Sequence, residues 1–290
     1  MQVAIIANPR SGRGLGPARA RGIATLLGER GHQVSVHSGA GAADAAAWAA
    51  RAGPKADRLV VIGGDGSLHA VLSGLDDSPP PIAAVPLGTS NLVGARFRMP
   101  RSPQGVVRLL ETGRVQPVDL ARVNGRKCFL AWGFGHDGEL MRRMEKTRDG
   151  PIRKTQYVPI LWSMLHGWDP PLQRVTADGE DLGEFRFGFA TGLGTYASGW
   201  VRLGPAGLED GLWELFLFPR LTLLGSGPLA LAALVGGLRR FPGVVFRQAR
   251  RITVGGERPA PIEIDGDHAG ATPLTFEVTT EKLPLLVPSP

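Results

Sequence analysis

VVIGGDGSLHAVLSGL, residues 60–75, decides the fold. The apolar run of Leu59, Val60, Val61 and Ile62 enters Gly63-Gly64-Asp65-Gly66, and a stripe of Leu68, Val71, Leu72 and Leu75 follows. A continuous apolar run of this length suits a strand covered on both faces, and spacings of three and four suit a helix. Where such a strand hands over to a helix, free backbone N–H groups and the positive end of the helix dipole make an anion site. Glycines let the backbone approach a phosphate with no Cβ in the way. Asp65 is then the odd element, because a carboxylate repels a phosphate unless a cation such as Mg²⁺ sits between them. The plainer alternative is a tight turn in which Asp65 caps the next helix.

The alternation continues on both sides. QVAIIA (2–7) reads as a strand, PARARGIATLLGERG (17–31) as a helix started by Pro17 and stopped by Gly31, and QVSVHS (33–38) as a second strand. A helix at 43–52, the strand at 58–63, the helix after Gly66, the strand PIAAVP (81–86) and a helix around SPQGVVRLLETG (102–113) complete the series. This spacing means βαβ crossovers and a parallel sheet. Two more strand ends carry small, glycine-rich loops, NPRSGRG (8–14) and LGTSN (87–91). In a parallel sheet those ends lie along one edge, where ligands bind, and three such loops suggest a nucleotide.

Beyond residue 120 the texture changes. Asn124-Gly125 and Asp178-Gly179 each sit between strand-like runs, a hairpin signal. LWELFLFP (212–219), ARRITVGG (249–256) and TFEVTT (275–280) read as further strands, with helical patterns at 138–147, 158–167 and 221–238. The expected organisation is an α/β domain with a parallel sheet at 1–120 and a β-rich, sandwich-like domain at 121–290, the last strand free to return to the first domain.

Composition bounds the partners. The 290 residues are 43% hydrophobic and 20% charged, as in a globular chain. One cysteine, Cys128, excludes an internal disulfide framework and fits a reducing cytoplasm. The N-terminus lacks the basic region and the long apolar run of a signal peptide. LTLLGSGPLALAALVGGL (221–238) has the length of a membrane span, but Pro228 and four glycines interrupt it, and we read it as a buried or surface-lying helix. A net charge of +7, with clusters at Arg142, Arg143, Lys146, Arg148, Arg153 and Lys154 and at Arg239, Arg240, Arg247, Arg250 and Arg251, favours anionic partners or marks solvated faces. No nucleic-acid recognition motif accompanies it, and the oligomeric state is left open.

Standard nucleotide signatures fit poorly. There is no G-x-x-x-x-G-K-[ST]. GFGHDG (133–138) matches G-x-G-x-x-G, but it lies in the β-rich half, and no acidic residue ends a second strand about 20 positions later.

Six short motifs together resemble the diacylglycerol kinase catalytic domain family, which includes sphingosine and ceramide kinases and the YegS-type bacterial lipid kinases. NPRSG (8–12), GGDGS (63–67), PLGTSN (86–91), GFGHDGE (133–139), LEDGLWEL (208–215) and IDGD (264–267) stand in the family order over nearly the whole chain. The resemblance implies ATP-dependent, Mg²⁺-assisted phosphorylation of a diacylglycerol- or sphingoid-like lipid hydroxyl. It implies an NAD kinase-like α/β domain for ATP and a β-sandwich domain for the lipid. It carries over ATP contacts to Ser38, Gly63, Gly64, Asp65, Gly66, Ser67, Leu68, His69, Gly88, Thr89 and Asn91. It gives Asp65 to the catalytic Mg²⁺, with Asp119 as a further candidate. It places a structural metal at Asp210, the backbone of Leu212 and Gly207, where the family usually has a lysine carbonyl. It makes Asp267, oriented near Asp265, the base that takes the proton of the attacking hydroxyl.

The chain departs from the family pattern in informative places. The family base is a glutamate, and Asp267 is shorter by about 1.5 Å, one C–C bond. A misplacement of about 1 Å can cost on the order of a hundredfold in rate. Leu92 stands where many members have a second carboxylate, and Ser67 and His69 replace a threonine and an asparagine. Two alternatives follow: an NAD kinase-like enzyme, which shares the glycine-aspartate loop, and a non-catalytic lipid or nucleotide binder. Asp265-Gly266 and Asp210-Gly211 also read as plain turns, and His136 and Asp137 as a helix cap, or as a metal or acid/base pair. Tyr157, Leu161, Trp162, Met164 and Trp168 form an apolar stretch that suits a lipid entrance or ordinary core. A lipid substrate implies peripheral contact with an anionic membrane at its inner face.

Overall fold

The computed structural model describes residues 1–39, 41–146, 168–196, 199, 201–203, 207–218 and 223–289. The chain divides into two compact units, Met1–Val118 with Glu281–Pro290 and Asp119–Thr280.

The first unit is an α/β layer structure. Its strands β1 (Gln2–Ala7), β2 (Gln33–Ser38), β3 (Arg58–Gly63) and β4 (Ile82–Pro86) alternate with α1 (Gly16–Glu29), α2 (Ala42–Ala52) and α3 (Asp65–Gly74). The strands pair in the order β2-β1-β3-β4, all parallel. Every residue of β1 from Val3 to Ala7 is buried, as are Leu59 to Gly63 of β3, so these strands carry continuous rather than alternating apolar runs. α1 carries Pro17 in its first turn, and Gly31, at φ 74°, turns the chain after its end. α2 and α3 pack so closely that a Cβ on Gly74 would lie 2.0 Å from the Ala46 carbonyl oxygen. α4 (Leu92–Arg96) and α5 (Pro103–Thr112) complete the unit. Ser102 caps α5, its hydroxyl accepting from the Gly105 amide at 3.2 Å.

The second unit is a sandwich of antiparallel sheets. One sheet holds β5 (Arg114–Val123), β6 (Arg126–Cys128), β8 (Gln173–Ala177), β9 (Glu180–Phe185), β15 (Arg251–Gly255) and the start of β18 (Leu274–Val287). The other runs in the order β14 (Val245–Ala249), β13 (Trp213–Phe218), β10 (Phe187–Thr191), β7 (Ala131–Phe134), β16 (Pro261–Ile264) and β17 (Asp267–Ala271). Their facing side chains, among them Val175, Ile252 and Phe276 from one and Trp132, Trp213 and Ile262 from the other, make one core. β11 (Thr195–Tyr196) and β12 (Val201–Arg202) form a short ribbon. The turns Asn124-Gly125, Asp178-Gly179 and Asp265-Gly266 all have two positive φ angles, 48° and 80°, 48° and 88°, and 52° and 88°. That is the backbone that two-residue hairpins require.

α6 (His136–Lys146) and α7 (Leu223–Val235) realise two of the three helical patterns expected in this half. The third, at 158–167, lies outside the described residues, with Tyr157, Leu161, Trp162 and Met164 and with Arg148, Arg153 and Lys154 of the first basic cluster. Among the described residues no helix is long and apolar enough to cross a membrane. The last strand, β18, serves both units. Its first half pairs antiparallel with β15, and near its end Leu285 pairs parallel with Ile82 of β4.

Candidate active site

The carboxyl ends of β1, β3 and β4 bring the three glycine loops together within the first unit. The Asn8 amide donates to the Ile62 carbonyl at 2.9 Å, and the Leu87 amide to the Gly63 carbonyl at 2.8 Å. The Asn8 side chain bridges loops, its Nδ2 donating to Ser67 Oγ at 3.1 Å, while its Oδ1 accepts from the Arg10 amide at 2.9 Å. Gly64 and Gly88 meet backbone to backbone: a Cβ on Gly88 would lie 2.4 Å from the Gly64 Cα. Glycine is required there by contact, since both residues have ordinary negative or extended φ.

Asn91 holds the third loop in shape. It sits at φ 52°, its Oδ1 accepts from the Gly88 amide at 2.7 Å, and its Nδ2 donates to the Gly88 carbonyl at 2.5 Å. Its role in the structure is to build the loop, beyond any contact with a ligand. Asp65, at the first position of α3, reaches across to α4. Its Oδ2 accepts from the Leu92 amide at 2.8 Å and its Oδ1 from the Val93 amide at 3.3 Å. The capping alternative considered for Asp65 is thus half right. It caps a helix, but the helix that begins 27 residues later.

The other expected nucleotide contacts divide by exposure. Gly66, Ser67, His69 and Thr89 are exposed or half-buried along this rim, and Ser38 is exposed at the end of β2. Leu68 is 2% exposed and packs into the core of the unit, so only its backbone faces the loops. Among the described residues there is no group of three or more His, Cys, Asp or Glu side chains placed to hold a metal ion.

In the second unit the expected base, Asp267, is exposed at the first position of β17, directly after the Asp265-Gly266 turn. The Asp265 carboxylate, expected near this base, accepts the amides of Phe129 at 3.2 Å, Leu130 at 2.9 Å and Ala131 at 3.1 Å. The Asp210 carboxylate accepts from the Leu212 amide at 3.0 Å and lies against Gly207. Asp119, buried, accepts from the Gly211 amide at 2.8 Å, so the structure ties it to the 207–212 loop.

His136 and Asp137 stand at the start of α6. Burial pushes the Asp137 carboxyl up to about 7, and the Tyr196 hydroxyl donates to it. Burial pushes His136 down to about 4, so its imidazole is neutral, and it packs edge-on against Trp168 with ring centroids 5.3 Å apart. Trp168 also lines a cavity of about 560 Å³ with Arg142, Pro171, Arg258 and His268. Tyr196 and Glu263 were not singled out from sequence. Their partners lie 59 and 67 residues apart in the chain, and no local pattern marks such a contact.

Comparison with known proteins follows the same lines. Residues 2–123 match the family described as the diacylglycerol kinase catalytic domain. A diacylglycerol kinase of Staphylococcus carnosus is 27% identical over 280 residues, covering 94% of this chain and 90% of that protein. One of Staphylococcus aureus is 26% identical over 282 residues, covering 94% and 88%. The crystal structure of a diacylglycerol kinase from Bacillus anthracis superposes with a TM-score of 0.72 at 19% identity, over 99% of this chain and 96% of that one, a likeness of fold.

Proposed function

We propose that the chain is an ATP-dependent lipid kinase of the diacylglycerol kinase type, a reading supported by the match of residues 2–123 to that catalytic domain family and by the similarity to bacterial diacylglycerol kinases, and we propose which residues carry the transfer. The observation that bears most weight is the backbone contact of Gly64 with Gly88, which sets two rows of amides side by side at the start of α3 and in the third loop. In our reading the amides of residues 63–67 and the hydroxyl and amide of Thr89 hold the phosphates of ATP. Phosphoryl transfer needs mainly positioning and charge neutralisation, which suits a site built from backbone. Asp65 is the carboxylate that would hold Mg²⁺ together with those phosphates, a donor set usual for this ion. When bound, the ion neutralises phosphate charge.

Asp267 takes the proton of the acceptor hydroxyl as the lipid oxygen bonds to the γ-phosphorus and the bond from that phosphorus to ADP breaks. Its exposure at the end of a rigid two-residue turn leaves the carboxylate free to meet a substrate. The Asp210 carboxylate with the backbone of Gly207 and Leu212 is proposed as the second, structural cation site, and the acceptor as a diacylglycerol-like lipid held by the second unit. The test is a set of parallel incubations with ATP and Mg²⁺ in which diacylglycerol, a sphingoid base and NAD are offered separately. Phosphate is expected in a lipid. Phosphate appearing only in NAD, or in no acceptor, would overturn the reading.

Peripheral contact with an anionic membrane is part of the same proposal, and α7 supports it. Leu229 and Ala233 pack against the Phe187, Phe216 and Phe218 cluster, while Leu231, Leu234 and Val235 are 62%, 52% and 72% exposed on the other side. Arg239 is taken up by an ion pair with buried Glu214, so the arginines that follow the helix and offer charge are Arg240 and, further on, Arg247. Apolar side chains beside arginines fit the boundary of an anionic bilayer. Sedimentation with anionic vesicles is expected to weaken several-fold for Leu231→Ser/Leu234→Ser. Equal binding to neutral and anionic vesicles would count against the proposal.

A further inference from the structure

Beneath the turn that carries Asp267 lies a buried chain of three polar side chains that the mechanism above does not use. The Tyr196 hydroxyl contacts Asp137 Oδ2 and, at 3.1 Å, Glu263 Oε1. The second oxygen of Glu263 accepts from the Gly266 amide at 2.8 Å, one residue before Asp267. Glu263 is 3% exposed. The Tyr196 ring is fixed by stacking on Phe189, with centroids 4.1 Å apart and planes 4° from parallel.

Proton counting decides how these groups are charged. A phenol has one proton and can donate to only one of two carboxyls. It donates to Asp137, its nearer partner. The contact with Glu263 is then a hydrogen bond only if Glu263 bears a proton and donates it to the tyrosine oxygen. Two ionised carboxylates sharing one buried hydroxyl would also repel each other across a medium of low dielectric. The charge environment agrees. Burial, with Asp137 and then Asp265 adding to it, pushes Glu263 well above the usual carboxylate range. Other titratable groups close to the cluster are His268, which stands opposite Glu263 on β17, and Cys128, held as a thiol by burial and by Asp265 and Glu263.

We infer that Glu263, Tyr196 and Asp137 are positioning residues for the transfer reaction, forming a one-way chain of donors in which neutral Glu263 donates to Tyr196, Tyr196 donates to Asp137, and the free oxygen of Glu263 fixes the Asp265-Gly266-Asp267 turn. The chain sets the direction in which the shortened base Asp267 points. This is where the sequence departs from the family glutamate, so the turn has less tolerance for drift. The inference rests on the reading of Asp267 as the proton acceptor.

The test compares wild type with Glu263→Gln and Tyr196→Phe. Glutamine reproduces a protonated glutamate, since its amide donates to Tyr196 and its carbonyl accepts from Gly266. Its kcat is expected within about threefold of wild type near neutrality. Wild-type kcat should decline on the alkaline side as Glu263 loses its proton, and the glutamine variant should stay flat there. Tyr196→Phe removes the link and is expected to lower kcat tenfold or more with KM for ATP unchanged. A glutamine variant that loses kcat more than tenfold or keeps the wild-type alkaline decline overturns the inference, as does a phenylalanine variant within twofold of wild type. A readout independent of activity and of the phenylalanine variant's folding is the infrared carbonyl band of a protonated carboxyl at neutral pH. Because Asp137 also holds part of a proton there, the band is read as a difference: it is expected to shrink by one carboxyl in Glu263→Gln, and a band equal in the two proteins would sink the inference. If wild type transfers no phosphate at all, the kinase reading fails while the band still judges the proton on Glu263.

Discussion

At the scale of single residues, Asp65 shows how one carboxylate can serve structure and chemistry together. Its acceptors were expected near a phosphate and a cation, yet its hydrogen bonds run to Leu92 and Val93. Asp65→Asn keeps one acceptor oxygen and loses the charge. We expect it to remove most turnover and to destabilise the protein by about 1–2 kcal/mol, the range for a weakened charge-assisted bond, read as a lower urea midpoint. Full turnover in this variant would remove Asp65 from the mechanism. Asp137 gives a second residue-level expectation. Its folded carboxyl is raised to about 7 from an unfolded value near 4, so the folded state binds the extra proton between those values. The stability from this group is full below about pH 4 and is lost as pH rises through about 7. Between pH 5 and pH 8 the urea midpoint of wild type should therefore fall relative to Asp137→Asn. His136 has the opposite slope, but it is common to both proteins and cancels. Parallel pH profiles would contradict the assignment. Neither role was legible in the sequence, because the partners of both aspartates are set by the fold and not by spacing along the chain.

At the scale of elements, the sequence is much more informative. Strand β3 ends where its apolar run ends, and the Asn-Gly and Asp-Gly pairs turn the chain at the three hairpins. These signals are local and so survive without tertiary context. What local reading misses is short or held from outside. The five-residue α4 has no capping side chain of its own, and Asp65 supplies its amide partners from another loop. The meeting of Gly64 and Gly88 belongs to this scale too. Gly88→Ala would place a Cβ 2.4 Å from the Gly64 Cα, which only backbone movement relieves. Overpacking of this kind costs about 1–3 kcal/mol. We expect Gly88→Ala to abolish detectable ATP binding by calorimetry, while Gly28→Ala, in α1 with open space around it, binds within a few-fold of wild type. Equal binding by the two variants would show that the contact does not shape the site.

At the scale of the whole molecule, the order of motifs made the two-part plan readable, an α/β half followed by an antiparallel half. The path of the last strand was less readable, since a β run alone does not state its partner. Its final residues close the first unit: Leu283, Leu285 and Leu286 are fully buried, and Leu285 pairs with Ile82. Removing a buried leucine side chain costs about 2–5 kcal/mol, and three together are comparable to the whole stability of an ordinary domain, about 5–15 kcal/mol. Truncation after Thr280 should therefore abolish ATP binding although no loop residue is touched, and retained binding would contradict that view. The account as a whole depends on where a triphosphate sits. The most direct measurement is a crystal structure of the protein with a non-hydrolysable ATP analogue and Mg²⁺. It should show the phosphates against the amides of residues 64–67 and Thr89 with the ion at Asp65. A triphosphate bound anywhere else, with those amides facing solvent, would contradict it.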